Sequence, residues 1–208
     1  MSHRLVLATR NAHKVTELRR ILDGLVDAEL AGLDDWPDLP DVVETGVTFE
    51  ENALLKARYT AEQTGLPAIA DDSGLAVDVL GGSPGVFSAR WSGRHGDDAA
   101  NLDLLLAQLG DVPPEHRTAH FVCAAAFVAP PRLGGAELVV HGRLHGRLLH
   151  VRQGENGFGY DPIFAPDGER RSTAELTPEE KDAISHRGRA FRELAGHLPA
   201  LLSGQPVA

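Results

Sequence analysis

The sequence predicts a fold of mixed helices and strands, of the α/β or α+β class. Residues 4–8 form a short apolar run typical of a buried strand, and apolar residues then recur at helical spacing from position 15 to position 25. Strand-like runs return at 118–129 and 137–151, after further helical segments. Because 208 residues with 42% hydrophobic content can bury a sizeable core, we expect one domain spanning 1–208.

The composition argues against a nucleic-acid partner. Lys and Arg number 20 against 30 Asp and Glu, which gives a formal net charge of −10. Nucleic-acid-binding proteins usually present a basic face, and this balance offers no general attraction to a phosphate backbone. An acidic protein can still bind a small polyanion where a divalent metal and a few cations lie between the two.

No segment has the pattern of a membrane span or a secretion signal. The apolar stretch near the start, 5–8, has only four residues, and no run of 18 apolar residues occurs. We therefore expect a cytoplasmic protein with no membrane partner. Cys123 is the only cysteine and lies in an apolar run, so no intrachain disulfide can form and a packing role is expected.

The first strand leads through a polar loop, residues 9–13, into the first helix. A loop at a helix N-terminus presents unpaired backbone N–H groups and the positive end of the helix dipole, which together favour an anion. Thr9, Asn11 and Lys14 lie at this junction. The junction is thus a candidate phosphate-binding site.

A capping box marks the start of the second helix. Thr48 and Glu51 have the Thr-x-x-Glu spacing, and stop signals follow near position 64. Such a helix places Asn52 and Lys56 one turn apart on the same face. The segment before it, 34–43, is acidic and contains proline, which is typical of an exposed connection.

Two adjacent carboxylates follow a short strand predicted at 68–70. Asp71 and Asp72 precede Ser-Gly, and hard carboxylate oxygens of this kind suit Mg²⁺ and the activation of water. Glu44 is a candidate for a third oxygen ligand. The same Asp-Asp-Ser-Gly run is also typical of a solvated turn, because these residue types favour turns for backbone reasons.

The second half of the chain carries further helix signals. Asp97 or Asp98 can cap a third helix, and a capping box at Thr177 with Pro178 at the first helical position begins another. The closing helix is predicted at 189–198. These signals continue the mixture of helices and strands seen in the first half.

A glycine-rich loop at 154–161 carries two aromatic residues. Its glycines allow close backbone approach, and Phe158 or Tyr160 could stack on a base, although the same pattern fits a turn with core aromatics. Further along, His186 and Arg187 stand side by side. They can donate hydrogen bonds to a keto oxygen or a phosphate, or lie exposed in a linker.

Together these residues resemble the inosine triphosphate pyrophosphatase family, whose members act on non-canonical purine nucleoside triphosphates. The resemblance extends from about Leu5 to Leu194 and rests on four segments in a fixed order. They are 9–14; 44–46 with 49–56; 70–85 with 88–90; and 157–162 with 181–188. Arg10 and His13 depart from the smaller residues frequent in the family, which bears on substrate preference rather than on chemistry.

The resemblance implies a Mg²⁺-dependent enzyme. Glu44 and Asp72 would coordinate Mg²⁺, and Asp72 would also be the catalytic residue that accepts a proton from the attacking water. Arg187 is the candidate donor to a purine 6-keto oxygen, since adenine would leave such a donor unpaired. The substrate-binding residues implied are Thr9, Arg10, Asn11, Ala12, His13, Lys14, Lys56, Ser73, Phe158, Gly159, Tyr160, Asp161, Lys181, His186 and Arg187.

The family's fold is an elongated α/β structure with a long central mixed sheet, surrounding helices and a substrate cleft between two lobes. Its members are typically homodimers, so a homodimer is expected. The reaction implied is hydrolysis of ITP, dITP or XTP to the monophosphate and pyrophosphate by water attack at the α-phosphorus. Such an enzyme cleanses the nucleotide pool and prevents misincorporation into DNA and RNA.

Two alternative functions stay open at this point. A pyrophosphatase of modified pyrimidine or standard nucleoside triphosphates would need the same metal, lysines and carboxylates and would differ only in its base pocket. A nucleotide-binding module without turnover would need no catalytic carboxylates. The intact pair of Glu44 and Asp72 disfavours this second alternative.

Overall fold

The computed structural model describes residues 3–203. Its strands are β1 (His3–Leu7), β2 (Ala28–Gly32), β3 (Ala68–Val77), β4 (Thr118–Val128), β5 (Glu137–Leu148) and β6 (Phe164–Pro166). Its helices are α1 (Ala12–Leu22), α2 (Phe49–Thr64), α3 (Asp98–Gln108), α4 (Pro178–Ile184) and α5 (His186–Leu202). Within the described range, no helix is both long and apolar enough to cross a bilayer.

The six strands form one mixed sheet in the order β2-β1-β3-β4-β5-β6. β1 runs parallel to both β2 and β3, whereas β5 and β6 are antiparallel. The α/β class and the mixed sheet with its helices are therefore confirmed. The extent of the domain, 1–208, stays a prediction, as do the elongated shape and the cleft.

The chain divides into two compact units. The first comprises Met1–Asp72, Cys123–Gly142 and Arg187–Ala208, and the second comprises Ser73–Val122 and Arg143–His186. Since the boundaries fall inside β3, β4 and β5, each of these strands contributes residues to both units.

In the first unit, helices cover both faces of the sheet. Successive residues of a strand point to opposite faces. Leu5, Leu7 and Ile69 pack on one face with α1 and α5, whereas Val6 and Ala68 pack on the other face with α2. This alternation decides which helix each polar residue of β3 meets.

The second unit has a core of its own, in which α3 packs against strand residues. Burying these apolar side chains contributes the main stabilisation of the unit. The core includes Leu75, Val77, Leu102, Leu105, Leu109, Phe121, Leu144, Leu148, Ile163 and Phe164.

Several element predictions were wrong in extent. β3 continues through residues 71–74, which lie inside the strand and not in a turn. The closing helix begins at His186, so 186–188 is helical and not a linker. β2 and β6 have five and three residues, which is too short for a period-two pattern to stand out, and neither was predicted. The capping boxes at Thr48 and Thr177 are confirmed.

One arginine belongs to the core of the second unit. Arg117 is 1% exposed. It donates hydrogen bonds to the carbonyl oxygens of Leu109 at 2.6 Å, Leu148 at 3.0 Å and Leu149 at 2.9 Å. Its guanidinium therefore joins the end of α3 to the end of β5.

Replacing Arg117 by methionine should lower the free energy of unfolding by about 2–3 kcal/mol, because buried carbonyls lose their donors. The control is Arg94→Met, at an exposed position, which should change stability by less than about 0.5 kcal/mol. Urea unfolding followed by circular dichroism measures both variants. Equal stability of the two would contradict this role of Arg117.

Candidate active site

Two buried carboxylates occupy the middle of β3. Asp71 is 2% exposed and Asp72 is 8% exposed. Because they are consecutive in a strand, their side chains point to opposite faces of the sheet. A buried carboxylate is costly unless it is paired or hydrogen-bonded, so each face must supply its own partners.

On one face, Asp71 lies between two cations. Its Oδ2 is 2.9 Å from Nζ of Lys14, in α1, and 3.3 Å from Nε of Arg187, in α5. Through Nη1, Arg187 also pairs with Glu17 of α1. The side chain of Asp71 is 0% exposed and that of Arg187 is 2% exposed. We call these four residues the buried charge chain.

The cations of the buried charge chain keep Asp71 ionised. Burial alone would raise the pKa of this carboxyl, but Lys14 and Arg187 outweigh burial and hold the pKa well below its ordinary value. Burial also opposes the charge on Arg187, yet Asp71 and Glu17 raise the pKa of the guanidinium above its ordinary value. Both groups are therefore charged at neutral pH.

On the other face, Asp72 meets α2. Nζ of Lys56 donates to Oδ1 of Asp72 at 3.3 Å and to Oε1 of Glu44 at 2.7 Å. Asn52, one turn before Lys56, donates from Nδ2 to Oδ2 of Asp72 at 3.2 Å. Oδ1 of Asn52 accepts the backbone N–H of Gly46 at 2.8 Å. Asn52 thus links the segment that carries Glu44 to β3.

Gly46 makes this link possible because it lacks a side chain. A Cβ atom at this position would lie 2.6 Å from Oδ1 of Asn52 and 2.7 Å from Cβ of Glu51. Real Cβ contacts are longer, so only glycine lets the backbone approach α2 this closely.

The pKa values around Asp72 reflect burial and neighbouring charge. Burial raises the pKa of the Asp72 carboxyl, Lys56 opposes that effect, and the negative charge of Glu44 adds to it, so that the pKa is raised. For Lys56, burial lowers the pKa, but Asp72, Asp71 and Glu44 outweigh burial and raise it. Lys56 is therefore a cation shared by the carboxylates around it.

The residues on this face fit a magnesium ion. Mg²⁺ is usually held by one or two carboxylates together with waters and substrate phosphates. Glu44 and Asp72 each place an oxygen within 3.3 Å of the same nitrogen, Nζ of Lys56, so their negative charge converges. Among the residues described, no group of three His, Cys, Asp or Glu side chains is arranged to hold a metal alone. Water or phosphate oxygens would have to complete the shell.

The predicted phosphate junction lies at the N-terminus of α1. Oδ1 of Asn11 accepts the backbone N–H groups of His13 at 3.0 Å and Lys14 at 3.2 Å, so Asn11 is the N-cap. Thr9 accepts the N–H of Asn11 through Oγ1 at 3.2 Å. Ala12 is the first helical residue and is exposed. The helix starts three residues earlier than its apolar periodicity indicated, because of this cap.

In the second unit, Asp161 organises the glycine-rich loop. Its Oδ2 accepts the N–H of Phe158 at 2.8 Å and Nζ of Lys181 at 2.6 Å, and its Oδ1 accepts Oγ1 of Thr173 at 2.9 Å. The Lys181 ammonium lies 5.1 Å from the centroid of the Phe158 ring, within cation–π range. Gly157, at φ +76°, leaves no room for a Cβ beside Asp161.

Three other predicted residues are held by contacts inside the second unit. Tyr160, 5% exposed, donates its hydroxyl to the carbonyl of Ser88 at 2.9 Å. Gly159 donates its N–H to a carboxylate of α3 at 2.9 Å. The imidazole of His186 stacks on the Phe121 ring, with centroids 4.8 Å apart and planes 11° from parallel. The side chains of Tyr160 and His186 are thus fixed by packing.

The predicted site residues fall into two groups, one in each unit. The first group contains Thr9, Arg10, Asn11, Ala12, His13, Lys14, Glu44, Lys56, Asp72 and Arg187. The second contains Ser73, Phe158, Gly159, Tyr160, Asp161, Lys181 and His186.

The sequence prediction missed Glu17, and it placed Asn52 on the Lys56 face of its helix without giving it a role. Glu17 is 5% exposed and balances Arg187, and Asn52 is fully buried beside Asp72. Glu17 stands four residues before Ile21, so it lies on the apolar face of α1. A charged residue on an apolar helix face was the available signal. For Asn52, the signal was its position one turn before Lys56.

A family model confirms the resemblance inferred from the four segments. The model of the Ham1 family matches residues 5–197. The chain belongs to the Ham1 family. It is 65% identical over 200 residues to a dITP/XTP pyrophosphatase of Streptomyces avermitilis, with 96% of this chain and 98% of the relative covered. A dITP/XTP pyrophosphatase of Mycobacterium tuberculosis is 56% identical over 203 residues, with 97% and 98% covered.

Solved structures of the Ham1 family share the fold. A HAM1 protein from Coxiella burnetii superposes with a TM-score of 0.85 at 41% identity, covering 95% of this chain and 98% of that one. A nucleoside-triphosphatase of Mycobacterium abscessus, a dITP/XTP pyrophosphatase, has a TM-score of 0.74 at 57% identity, covering 92% and 98%.

Neutralising Asp71 by the substitution Asp71→Asn should lower the free energy of unfolding by about 3 kcal/mol or more, because Arg187 and Lys14 lose their shared anion inside the protein. The control removes a surface ion pair. Glu137→Gln breaks the bond from Arg58, whose side chain is 56% exposed, and should cost less than about 1 kcal/mol. Urea unfolding curves of both variants provide the measurement, and a cost for Asp71→Asn no larger than the control's would contradict the account.

Proposed function

We propose that this chain hydrolyses non-canonical purine nucleoside triphosphates, namely ITP, dITP and XTP, to the monophosphate and pyrophosphate. The observation that carries the proposal is the pair Glu44 and Asp72. The Lys56 ammonium contacts an oxygen of each carboxylate, beside the buried part of β3. Relatives that match nearly the whole chain are named dITP/XTP pyrophosphatases, which supports the same substrate class. Removal of such nucleotides would prevent their misincorporation into DNA and RNA.

Mg²⁺ is the proposed cofactor, with Glu44 and Asp72 as its protein ligands. When bound, it would supply positive charge beside the phosphate oxygens and so offset the repulsion between triphosphate and carboxylates. Lys14 and Lys56 add cationic groups, each already paired with a buried carboxylate. The positive end of the α1 dipole favours the same anion, although the N–H groups of His13 and Lys14 already bond the side chain of Asn11.

Asp72 is the proposed proton acceptor for the attacking water. Its carboxylate is held by Asn52 and Lys56, so its orientation is fixed before substrate arrives. The proposed attack is at the α-phosphorus, with pyrophosphate leaving. Ser73, the next residue of β3, is proposed to contact the substrate.

The base is proposed to stack on Phe158, whose ring is partly buried and positioned through Asp161 and Lys181. Donors aimed at a 6-keto oxygen would disfavour adenine by about 1–3 kcal/mol for each partner left unpaired. A direct contact of Arg187 with that oxygen stays a prediction, as its observed partners are Glu17 and Asp71. The remaining residues proposed to line the site are Thr9, Ala12, His13, Gly159, Tyr160 and His186.

The proposed setting is the cytoplasm, where the nucleotide pool lies, and the proposed assembly is a homodimer. The first rests on the sequence pattern, which predicts no secretion signal or membrane span, and the second on the resemblance to the family. Neither a nucleic acid nor a membrane is a proposed partner, in keeping with the net charge of −10.

The experiment that tests the function is product analysis with purified protein and Mg²⁺. ITP, XTP, GTP, ATP and dTTP are incubated in parallel, and phosphate is detected with and without added inorganic pyrophosphatase. We expect phosphate only after that addition, and chiefly with ITP and XTP. Direct phosphate release would contradict the proposal, and turnover of dTTP alone would move the assignment to pyrimidine substrates. Tight binding without product would indicate a binding module.

Asp72→Asn should reduce kcat by about 10²–10⁴-fold, because the side chain can no longer accept a proton and loses a ligand charge. Circular dichroism should show an unchanged fold. Asp103→Asn is the matched control, since this side chain is 67% exposed and forms a surface ion pair with Arg152. A folded Asp72→Asn protein with the turnover of the control would remove Asp72 from its proposed role.

A further inference from the structure

Arg10 lies in the predicted phosphate loop, but its guanidinium is directed to another segment. Nη2 donates to the carbonyls of Leu39 at 2.5 Å and Trp36 at 3.3 Å, and Nη1 donates to the carbonyl of Leu33 at 3.4 Å. Nε donates to Oδ1 of Asp41 at 3.0 Å. One side chain therefore bonds four residues of the segment 33–41.

The segment 33–41 leads directly to Glu44. Its first part is anchored by packing, since Leu33, Trp36 and Leu39 belong to the apolar cluster around α2. Nearer Glu44, Val43 is 76% exposed, and Val42, although half-buried, does not belong to this cluster. The path of the chain from Leu39 to Glu44 therefore depends on polar contacts.

A planar guanidinium suits this task better than an ammonium would. Arginine has five N–H donors in a rigid fork, whereas lysine is a compact charge that cannot span several acceptors in fixed directions. The Arg10 side chain is 30% exposed and that of Asp41 is 78% exposed, so solvent weakens the ionic attraction. The hydrogen bonds from Arg10 to main-chain carbonyls therefore act mainly by fixing the path of segment 33–41, and not by neutralising charge.

We propose that Arg10 is a positioning residue that holds segment 33–41 to the start of α1, so that Glu44 reaches Lys56 and Asp72. Arg10 then acts on the reaction through Glu44 and not through the phosphates. On the C-terminal side of Glu44, the bond between Gly46 and Asn52 holds the chain to α2. Arg10 has the corresponding role on the N-terminal side. The catalytic consequence rests on the proposed function, whereas the positioning itself does not.

Hydrogen–deuterium exchange of the full-length protein, without metal or nucleotide, tests the positioning. Arg10→Ala and Arg10→Lys should both make the hydrogen-bonded amides of Trp36 and Leu39 exchange about tenfold faster, because opening of the segment no longer requires breaking the Arg10 hydrogen bonds. Arg58→Lys is the matched control, as Arg58 bonds the single side chain of Glu137 and should leave residues 36–45 unchanged. Unchanged exchange in both Arg10 variants would overturn the proposal.

Steady-state kinetics with ITP separate positioning from phosphate contact. Positioning predicts that both Arg10 variants raise the Mg²⁺ concentration for half-maximal rate by about fivefold to tenfold, and that Lys does not rescue Ala. A phosphate contact predicts a higher KM in Arg10→Ala, rescue in Arg10→Lys and unchanged Mg²⁺ dependence, which would overturn the proposal. If the wild-type protein turns over no purine triphosphate, the proposed function fails while the exchange result still decides the positioning.

Discussion

Two adjacent carboxyl groups in a buried strand are the constraint on which the rest of the site depends. A strand at the centre of a sheet excludes water from both faces, and a carboxylate there must find cations or donors within hydrogen-bonding distance. Asp71 and Asp72 are consecutive, so one set of partners cannot serve both. On one face, Lys14 and Arg187 pair with Asp71. On the other face, Lys56 and Asn52 donate hydrogen bonds to Asp72.

This division gives the two carboxylates different roles. Asp71 is committed to ion pairs that join α1, β3 and α5, and its pKa is held low by them. Asp72 shares Lys56 with Glu44, and its pKa is raised. The first arrangement stabilises the charged form of its carboxyl, whereas the second leaves negative charge that a metal ion would complement. The structural carboxylate, Asp71, and the proposed catalytic one, Asp72, are thus adjacent residues of one strand.

The parts of the site that depend on local chemistry were predictable from the sequence. Residue types at fixed spacing predicted the capping box at Thr48, the helix that carries Lys56 and the loop-to-helix junction near Asn11. The resemblance to a known family supplied the pairing of Glu44 with Asp72, which spacing alone leaves open. Local patterns ended the strand at residue 70 and left a turn at 71–74 as one interpretation, because turn propensity takes no account of cations brought by distant helices. Arg187 and Lys14 are far apart in sequence, and only the sheet topology brings both to Asp71.

Hydrolysis of ITP in water labelled with oxygen-18 tests most directly whether the site performs the proposed attack. After a single turnover with Mg²⁺, mass spectrometry of the separated products locates the new oxygen. Attack at the α-phosphorus, with Asp72 as proton acceptor, places the label in inosine monophosphate and leaves the pyrophosphate unlabelled. Label in the pyrophosphate, with unlabelled monophosphate, would mean attack at the β-phosphorus and would contradict the role given to the Glu44 and Asp72 pair.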